Sequence, residues 1–182
     1  MIMRKLTPFA VGPVLVALAA AAGGAGLTKV FSGLETGVFM GGSAKLAGLV
    51  SGVAAVRAEE GWIMPFAGQP LMVTTACSAT DFFLMTAALL GWHFAQRVRR
   101  PALLPLAAAG ALVAAVPVTL CVNALRIVAV AQAHRWVIPR MPAAYDSFLH
   151  MLTGVAVFLP ALIALNLLLE LHGRTHTPPA RD

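Results

Sequence analysis

Four long apolar stretches divide the chain, and most charged residues lie between them. They cover residues 6–28, 71–96, 101–133 and 147–170. A helix rises about 1.5 Å per residue, so each stretch is long enough to cross a hydrocarbon core of about 30 Å. The pattern predicts an all-α integral membrane protein. We expect one domain over residues 1–182, a bundle of about four transmembrane helices.

The ends of these stretches refine the prediction. Arg4 and Lys5 precede the first stretch, which also resembles a signal peptide, but we interpret it as a retained anchor because the other stretches predict membrane crossings too. Ser78 is followed three residues later by Asp81, a capping pattern that predicts Ser78 as the N-cap of the second helix. Residues 172–182 are polar and are expected to form a tail outside the membrane.

Residues 29–70 are less apolar and rich in glycine. The longest uncharged run within them, residues 46–56, is too short to cross a membrane. We therefore expect an extracytoplasmic or re-entrant region, with an additional short re-entrant or surface helix within residues 42–58.

Composition supports the membrane interpretation and excludes several other classes. Apolar residues make up 59% of the chain and charged residues only 11%, whereas soluble domains have about 25% charged residues. The net charge of +6 comes from basic residues near the ends of apolar stretches, and no basic stripe predicts nucleic-acid binding. Two cysteines without a CxxC pair are too few for a disulfide framework.

Basic residues also predict the orientation. Residues 1–5, 96–100 and 172–182 would share one side and hold seven Lys or Arg in 21 positions. Residues 29–75 and 133–146 would share the other side and hold five in 61 positions. The positive-inside rule therefore places both termini in the cytoplasm and both long loops outside.

Three chemically unusual residues fall at one depth in this topology. Cys77 lies at the outer start of the second crossing, Arg126 at the outer end of the third, and His150 at the outer start of the fourth. Each residue alone also has a purely structural interpretation. Cys77 would be a small apolar side chain, Arg126 a cation that reaches the lipid surface, and His150 a hydrogen-bonded polar residue. Their shared depth favours function, because ionisable residues within membrane spans are costly.

Their chemistry is that of acyl transfer. A thiol ionises more readily at a helix N-terminus and beside a cation, and the thiolate is the nucleophile. His150 would move the proton and Arg126 would stabilise the oxyanion. Asp146 lies four residues before His150 and would orient the imidazole, unless it is only a solvated loop residue. Asn123 lies three residues before Arg126 and would hold its guanidinium or a substrate carbonyl, unless it only joins two helices.

Three short motifs resemble the exosortase/archaeosortase family. They are Ala76-Cys77-Ser78-Ala79, Asn123-Ala124-Leu125-Arg126 and His150-Met151-Leu152-Thr153-Gly154, in that order and near the predicted outer helix ends. The family pattern is a cysteine motif, then N-x-x-R, then H-x-x-x-G. The resemblance covers about residues 70–170, and the chain departs from it at Ala79, where the family commonly has glycine.

The resemblance implies a membrane cysteine protease or transpeptidase. Such an enzyme would cleave C-terminal sorting signals of the PEP-CTERM type from exported proteins through a cysteine acyl-enzyme and pass the chain to an unidentified acceptor. The implied catalytic residues are Cys77, Arg126 and His150. The implied location is the bacterial inner membrane, with the lipid bilayer as surroundings and the active site facing outward.

Two other functions remain open. A non-enzymatic transport or assembly component would use Arg126 and His150 for passage of an ion or substrate, and it would tolerate loss of Cys77. A metal or haem protein is disfavoured because the chain has no HExxH and no paired CxxC. We therefore expect no metal and no cofactor.

Overall fold

The structure is a computed structural model of the 182-residue chain. It describes residues 35–66, 69–74, 77, 79–98, 100–140, 142 and 145–175. The predicted first crossing, residues 6–28, and the predicted cap Ser78 lie outside the described residues.

Four α-helices and one small sheet make up the described part of the chain. A π-helix (Glu35–Gly42) leads into helix α1 (Ser43–Ser51). Three strands follow: β1 (Val56–Ala58), β2 (Gly61–Phe66) and β3 (Gln69–Val73). Helix α2 spans Thr80–Arg97, α3 spans Leu104–Trp136 after a 3-10 turn, and α4 spans Asp146–Thr175.

Two of these helices are long and apolar enough to cross a membrane. They are Pro101–Trp136, which is α3 with its preceding turn, and Phe148–His172 within α4. Only 17% and 6% of their most apolar windows are buried, whereas the core helix of a soluble protein would be mostly buried. Their apolar surfaces therefore face outward, as a lipid environment requires. The predicted bundle of four spans is not confirmed, and α4 runs past residue 170 to Thr175.

The described residues are mostly helical, in agreement with the all-α prediction, but they also include a small sheet, and the second crossing over residues 71–96 needs correction. A three-stranded antiparallel sheet in the order β1-β2-β3 occupies part of residues 56–73, so residues 71–73 are strand. The helix of that stretch is α2, which begins only at Thr80. Val73 and Thr74 lie before this helix. Both are β-branched, and β-branched residues fit a strand better than a helix, which helps to explain why the helix does not begin earlier.

The additional short helix expected within residues 42–58 is present as α1. Its buried face is made of small residues, which lets it lie close to α3. Gly52 ends the helix in the left-handed region, at φ 67°, and its amide donates to the Gly48 carbonyl. A glycine is favoured there because it has no Cβ to clash in that conformation.

The predicted cap of α2 is also wrong by one residue. The N-cap is Ala79, which has φ 56° and ψ 25° and makes no side-chain capping hydrogen bond. Among the described non-glycine residues, Ala79 alone has a positive φ. This left-handed backbone explains why glycine suits the position in the family pattern: the Cβ of alanine is a cost there.

Replacing Ala79 with glycine is therefore expected to stabilise the protein. Relief of the left-handed strain outweighs the greater freedom of glycine in the unfolded chain, and the apparent Tm should rise by about 2 °C. Thermal unfolding of the detergent-solubilised protein measures it. The matched control is Ala88→Gly inside α2, which should lower the Tm because glycine weakens a helix interior. A lower Tm for Ala79→Gly would contradict the strain.

Two apolar clusters hold these elements together. The first joins the sheet and α1 to α3 and includes the cysteine: Met40, Ala44, Ala47, Met64, Val73, Cys77, Ala124 and Ile127. The second joins α2 to α3: Phe39, Phe83, Ala87, Leu90, Ala111 and Ala115. Because the first cluster packs the end of the sheet on α3, it fixes the chain just before α2.

Helix α4 packs on α3 and α2, and polar bonds also fix its far end. His93 of α2 donates from Nε2 to the Asn166 amide oxygen at 3.1 Å. Arg97 of α2 donates to the Leu169 carbonyl at 3.3 Å. These bonds lie about 24 Å and about 29 Å along α4 from His150, at 1.5 Å per residue. They hold α4 against α2 at the end opposite to His150.

Candidate active site

Cys77 lies in the short connection between β3 and α2. Its amide donates to the Thr74 carbonyl at 2.9 Å, which turns the chain after the strand. Its own carbonyl accepts a hydrogen bond from Nδ2 of Asn123 at 2.7 Å, and this bond is buried. The side chain is 8% exposed and packs in the first apolar cluster. Main-chain bonds on both sides therefore hold the thiol in place.

His150 lies in the first turn of α4 and contacts two functional groups through one atom. Its Nε2 is 3.9 Å from the Cys77 sulfur and 3.4 Å from Nη2 of Arg126. A guanidinium can only donate, so this contact uses the lone pair on Nε2. The same nitrogen faces the Cys77 sulfur, so it is the ring atom placed to take the thiol proton once Nη2 releases the lone pair.

Arg126 is a buried cation on α3, with only 8% of its surface exposed. Its guanidinium carbon lies 5.2 Å from the ring centroid of Phe158, in a cation–π contact. Phe158 in turn stacks on Phe82 of α2, with the ring centroids 4.6 Å apart. Nε of Arg126 is buried without a hydrogen-bond partner among the described residues. The stacked rings of Phe158 and Phe82 therefore position the guanidinium, while its Nε–H group stays able to donate a hydrogen bond.

Gly154 makes room for this guanidinium. It lies one turn after His150, and a Cβ built on it would be 3.2 Å from Nε and 3.6 Å from Cζ of Arg126. Any larger residue would push the guanidinium. The glycine of the H-x-x-x-G motif thus has a physical role: it lets Arg126 lie flat against α4.

Replacing Gly154 with alanine is expected to lower activity about tenfold without loss of the folded protein. The added methyl group would move the guanidinium by a few tenths of an ångström, and small misplacements in a catalytic site are costly. Alanine also favours the helix, so the protein should accumulate. The measurement is the rate of the peptide cleavage that the sequence resemblance implies, at matched amounts of membrane protein.

Gly110→Ala on α3 is the matched control for that variant. A Cβ at Gly110 would meet only the ring of Phe94, at 3.8 Å, which is ordinary contact. Activity should therefore stay within about twofold of wild type, since surface or loosely packed substitutions have small effects. Equal activity of both alanine variants would contradict the proposed role of Gly154.

Cys77, Arg126 and His150 line one small cleft that is open to the outside. The remaining walls are apolar residues of β3 and α3: Leu71, Met72, Val73, Ile127 and Val130. A nucleophilic sulfur, a proton acceptor and a fixed cation therefore face the same small space. This is the set of groups that acyl transfer requires.

The structure brings together the three residues singled out from the sequence, and it changes the interpretation of Asn123. That side chain bonds the Cys77 main chain, while its Oδ1 is buried without a partner among the described residues. Asp146 is the first residue of α4, and its role in orienting the imidazole stays a prediction. Cys121 is exposed and, like Cys77, a free thiol.

Sequence reasoning gave Phe158 no role in the site. Its signal was present: Phe158 lies four residues after Gly154 and eight after His150, on the same face of α4. An aromatic residue there is also a common lipid-facing choice, so spacing alone did not separate the two interpretations.

Comparison with known families gives one match. The family model described as transmembrane exosortase matches residues 43–167, well over half of the chain. No curated protein and no solved structure matches. The matched range runs from the start of α1 through most of α4 and contains Cys77, Arg126 and His150. The chain therefore belongs to the transmembrane exosortase family.

Proposed function

We propose that this protein is a membrane cysteine peptidase or transpeptidase that cleaves C-terminal sorting signals of the PEP-CTERM type from exported proteins. One observation carries the proposal: Nε2 of His150 contacts both the Cys77 sulfur, at 3.9 Å, and Nη2 of Arg126, at 3.4 Å. Family membership supports a membrane transpeptidase role in general. The finer assignment of substrate and mechanism is our inference.

The first half of the reaction forms the acyl-enzyme. The Cys77 sulfur attacks the carbonyl carbon of the scissile peptide bond, and Nε2 of His150 takes the thiol proton. The tetrahedral intermediate then collapses, breaking the C–N bond. His150 returns the proton to the leaving amine, which departs with the sorting signal, and the exported chain remains as a thioester on Cys77.

Arg126 acts when charge develops on the carbonyl oxygen. Once Nε2 accepts the thiol proton, it has no lone pair left for Nη2 of Arg126. The two cations then repel, so the guanidinium donor turns from the imidazolium toward the new oxyanion. The buried guanidinium, which packs on Phe158, only has to exchange one acceptor for another, and a charged donor inside the site at that moment stabilises the oxyanion.

The second half of the reaction releases the exported chain. An acceptor, water or an amine, attacks the thioester while His150 removes its proton. Collapse of the intermediate breaks the C–S bond, and the proton returns to the sulfur. Water gives a shortened protein with a free carboxylate, whereas an amine gives a protein joined to a new group.

We further infer that the chain is a multi-pass protein of the bacterial inner membrane, with both termini in the cytoplasm and the cleft facing outward. The support is the higher density of basic residues in the segments assigned to the cytoplasm. In this orientation the cleft would meet a polypeptide after its export.

Mass spectrometry of protein C-termini tests the proposal in the native host. We expect that a set of exported proteins keeps its C-terminal helix and basic tail in cells without this chain and loses both when the chain is restored. The mass of the new C-terminus tells hydrolysis from transfer. Identical C-termini in both strains, with the exported proteins expressed, would contradict the proposal and favour a transport or assembly component.

A further inference from the structure

The cleft beside Cys77 runs along one edge of the sheet. Three consecutive residues of β3 line it: Leu71, Met72 and Val73. Side chains of successive strand residues point to opposite faces of a sheet, so no single face could present all three. All three residues can border the cleft only if the edge of β3, rather than one of its faces, lies toward the cleft. Within the described residues the strand order is β1-β2-β3, and no strand pairs with that edge.

The register shows which main-chain groups point to this edge. Pro65 of β2 lies opposite Pro70 of β3, and neither has an amide hydrogen to give. They therefore form a pair without mutual hydrogen bonds. In an antiparallel ladder such pairs alternate with bonded pairs, so the bonded pairs are the next ones along: Met64↔Leu71 and Trp62↔Val73.

Met72 is consequently the residue whose main chain faces the cleft. It lies opposite Ile63 in the next non-bonded pair, so its amide and carbonyl point away from β2. Its side chain is 40% exposed, on the face opposite the apolar cluster. Pro70 has only a carbonyl to offer on this edge. One complete donor and acceptor pair therefore stands a few residues before the nucleophile.

We propose that the edge of β3 binds the substrate polypeptide as an added strand, with Met72 pairing to the residues next to the cleaved bond. An extended peptide is the occupant that fits, because its own alternating amides and carbonyls complement the free groups of an edge strand. The edge is continuous with the cleft that holds Cys77. Ile127 and Val130 on the opposite wall would contact the peptide side chains that point inward.

This inference rests on the proposed function and adds how the substrate is held. It explains why a sheet stands in an otherwise helical protein. A peptide in strand form has a fixed distance of about 3.3 Å between residues, so pairing at Met72 sets which carbonyl reaches the sulfur. The selected bond thus depends on main-chain register as well as on side chains.

Met72→Pro is the direct test. Proline removes the amide that faces the cleft, and it leaves the ladder to β2 intact because that amide makes no bond there. Arg57→Pro is the matched control, because Arg57 lies opposite Trp62 in a non-bonded pair of the other edge strand, so its amide also points away from the sheet but not toward the cleft. We expect processed C-termini to form about tenfold more slowly with Met72→Pro, and within about twofold of wild type with Arg57→Pro. The readout is mass spectrometry at matched membrane levels.

A second measurement does not depend on how well the proline variant folds. A photo-crosslinking amino acid is placed at position 72 or at Val56, on the other edge strand, in a Cys77→Ala background that keeps substrates uncleaved. We expect crosslinks to uncleaved exported proteins from position 72 and none from position 56. Equal crosslinking from both positions, or none from position 72, would overturn the edge-strand inference.

The outcomes separate the two proposals. If wild-type cells show Cys77-dependent processing while Met72→Pro and Arg57→Pro process equally well, the edge-strand inference is wrong and the proposed function stands. If wild-type cells show no processing that depends on Cys77, the proposed function is wrong and the inference falls with it.

Discussion

Replacing Cys77 with alanine is expected to reduce C-terminal processing at least about a thousandfold while the protein still accumulates in the membrane. In the proposed mechanism the sulfur forms the acyl-enzyme, and none of the other described residues that line the cleft is a comparable nucleophile. Folding should survive, because the missing sulfur leaves a cavity of one atom and costs about 1 kcal/mol. Processed C-termini are quantified by mass spectrometry at matched protein amounts.

Two further variants make this result specific. Cys77→Ser keeps a similar shape but replaces the thiol with a hydroxyl, which is a far weaker nucleophile without a stronger base, so it should also be inactive. Cys121→Ala removes an exposed thiol on α3 and should process like wild type. Normal processing by Cys77→Ala would exclude the acyl-enzyme and return Cys77 to the status of a small apolar core residue.

The sequence allowed one contact to be predicted, that between Cys77, Arg126 and His150. The predicted topology assigns each residue a depth in the membrane, and these three share one depth. Three residues far apart in the chain must lie near one plane if each marks the same end of a crossing helix. The argument needed correct helix directions, and it did not need exact helix starts. It therefore survived the error at the second crossing, where α2 begins at Thr80.

The sheet could not be anticipated in the same way. Its strands contain Pro65 and Pro70, and glutamates separate β1 from β2, so no regular alternation of apolar and polar residues appears. Residues 71–73 are apolar and adjoin an apolar helix, so hydropathy alone joined them to it. Only tertiary packing on α1 and α3 distinguishes this strand from the start of a crossing.

The spacing of residues in the sequence also could not identify the hydrogen-bond partner of Asn123. Its position one turn before Arg126 left three partners open: that guanidinium, a substrate carbonyl or another helix. The amide bonds the main-chain carbonyl of Cys77 at 2.7 Å. A main-chain group has no sequence signature, so a bond to it leaves no trace in a motif. The N-x-x-R motif therefore contributes twice to the site: Asn123 holds the main chain of Cys77, and Arg126 supplies the buried cation.

Substituting Arg126 is expected to lower processing by about a hundredfold to a thousandfold, which is the usual cost of losing one oxyanion donor. Both Arg126→Gln and Arg126→Lys should show the loss. Lysine keeps the charge, but it lacks the planar fork that lies against Phe158 while reaching Nε2 of His150. A merely electrostatic role would instead be rescued by lysine, so the comparison of the two variants decides between fixed geometry and charge.

Arg135→Lys on the same helix is the matched control for this comparison. Arg135 is exposed and also lies over an aromatic ring, that of Trp136 at 5.0 Å, but it is remote from the cleft. It should tolerate lysine with unchanged processing. If Arg126→Lys processes as well as Arg135→Lys, the guanidinium is not the oxyanion donor. A selective loss at Arg126, with all variants present in the membrane, places the guanidinium geometry in the catalytic step.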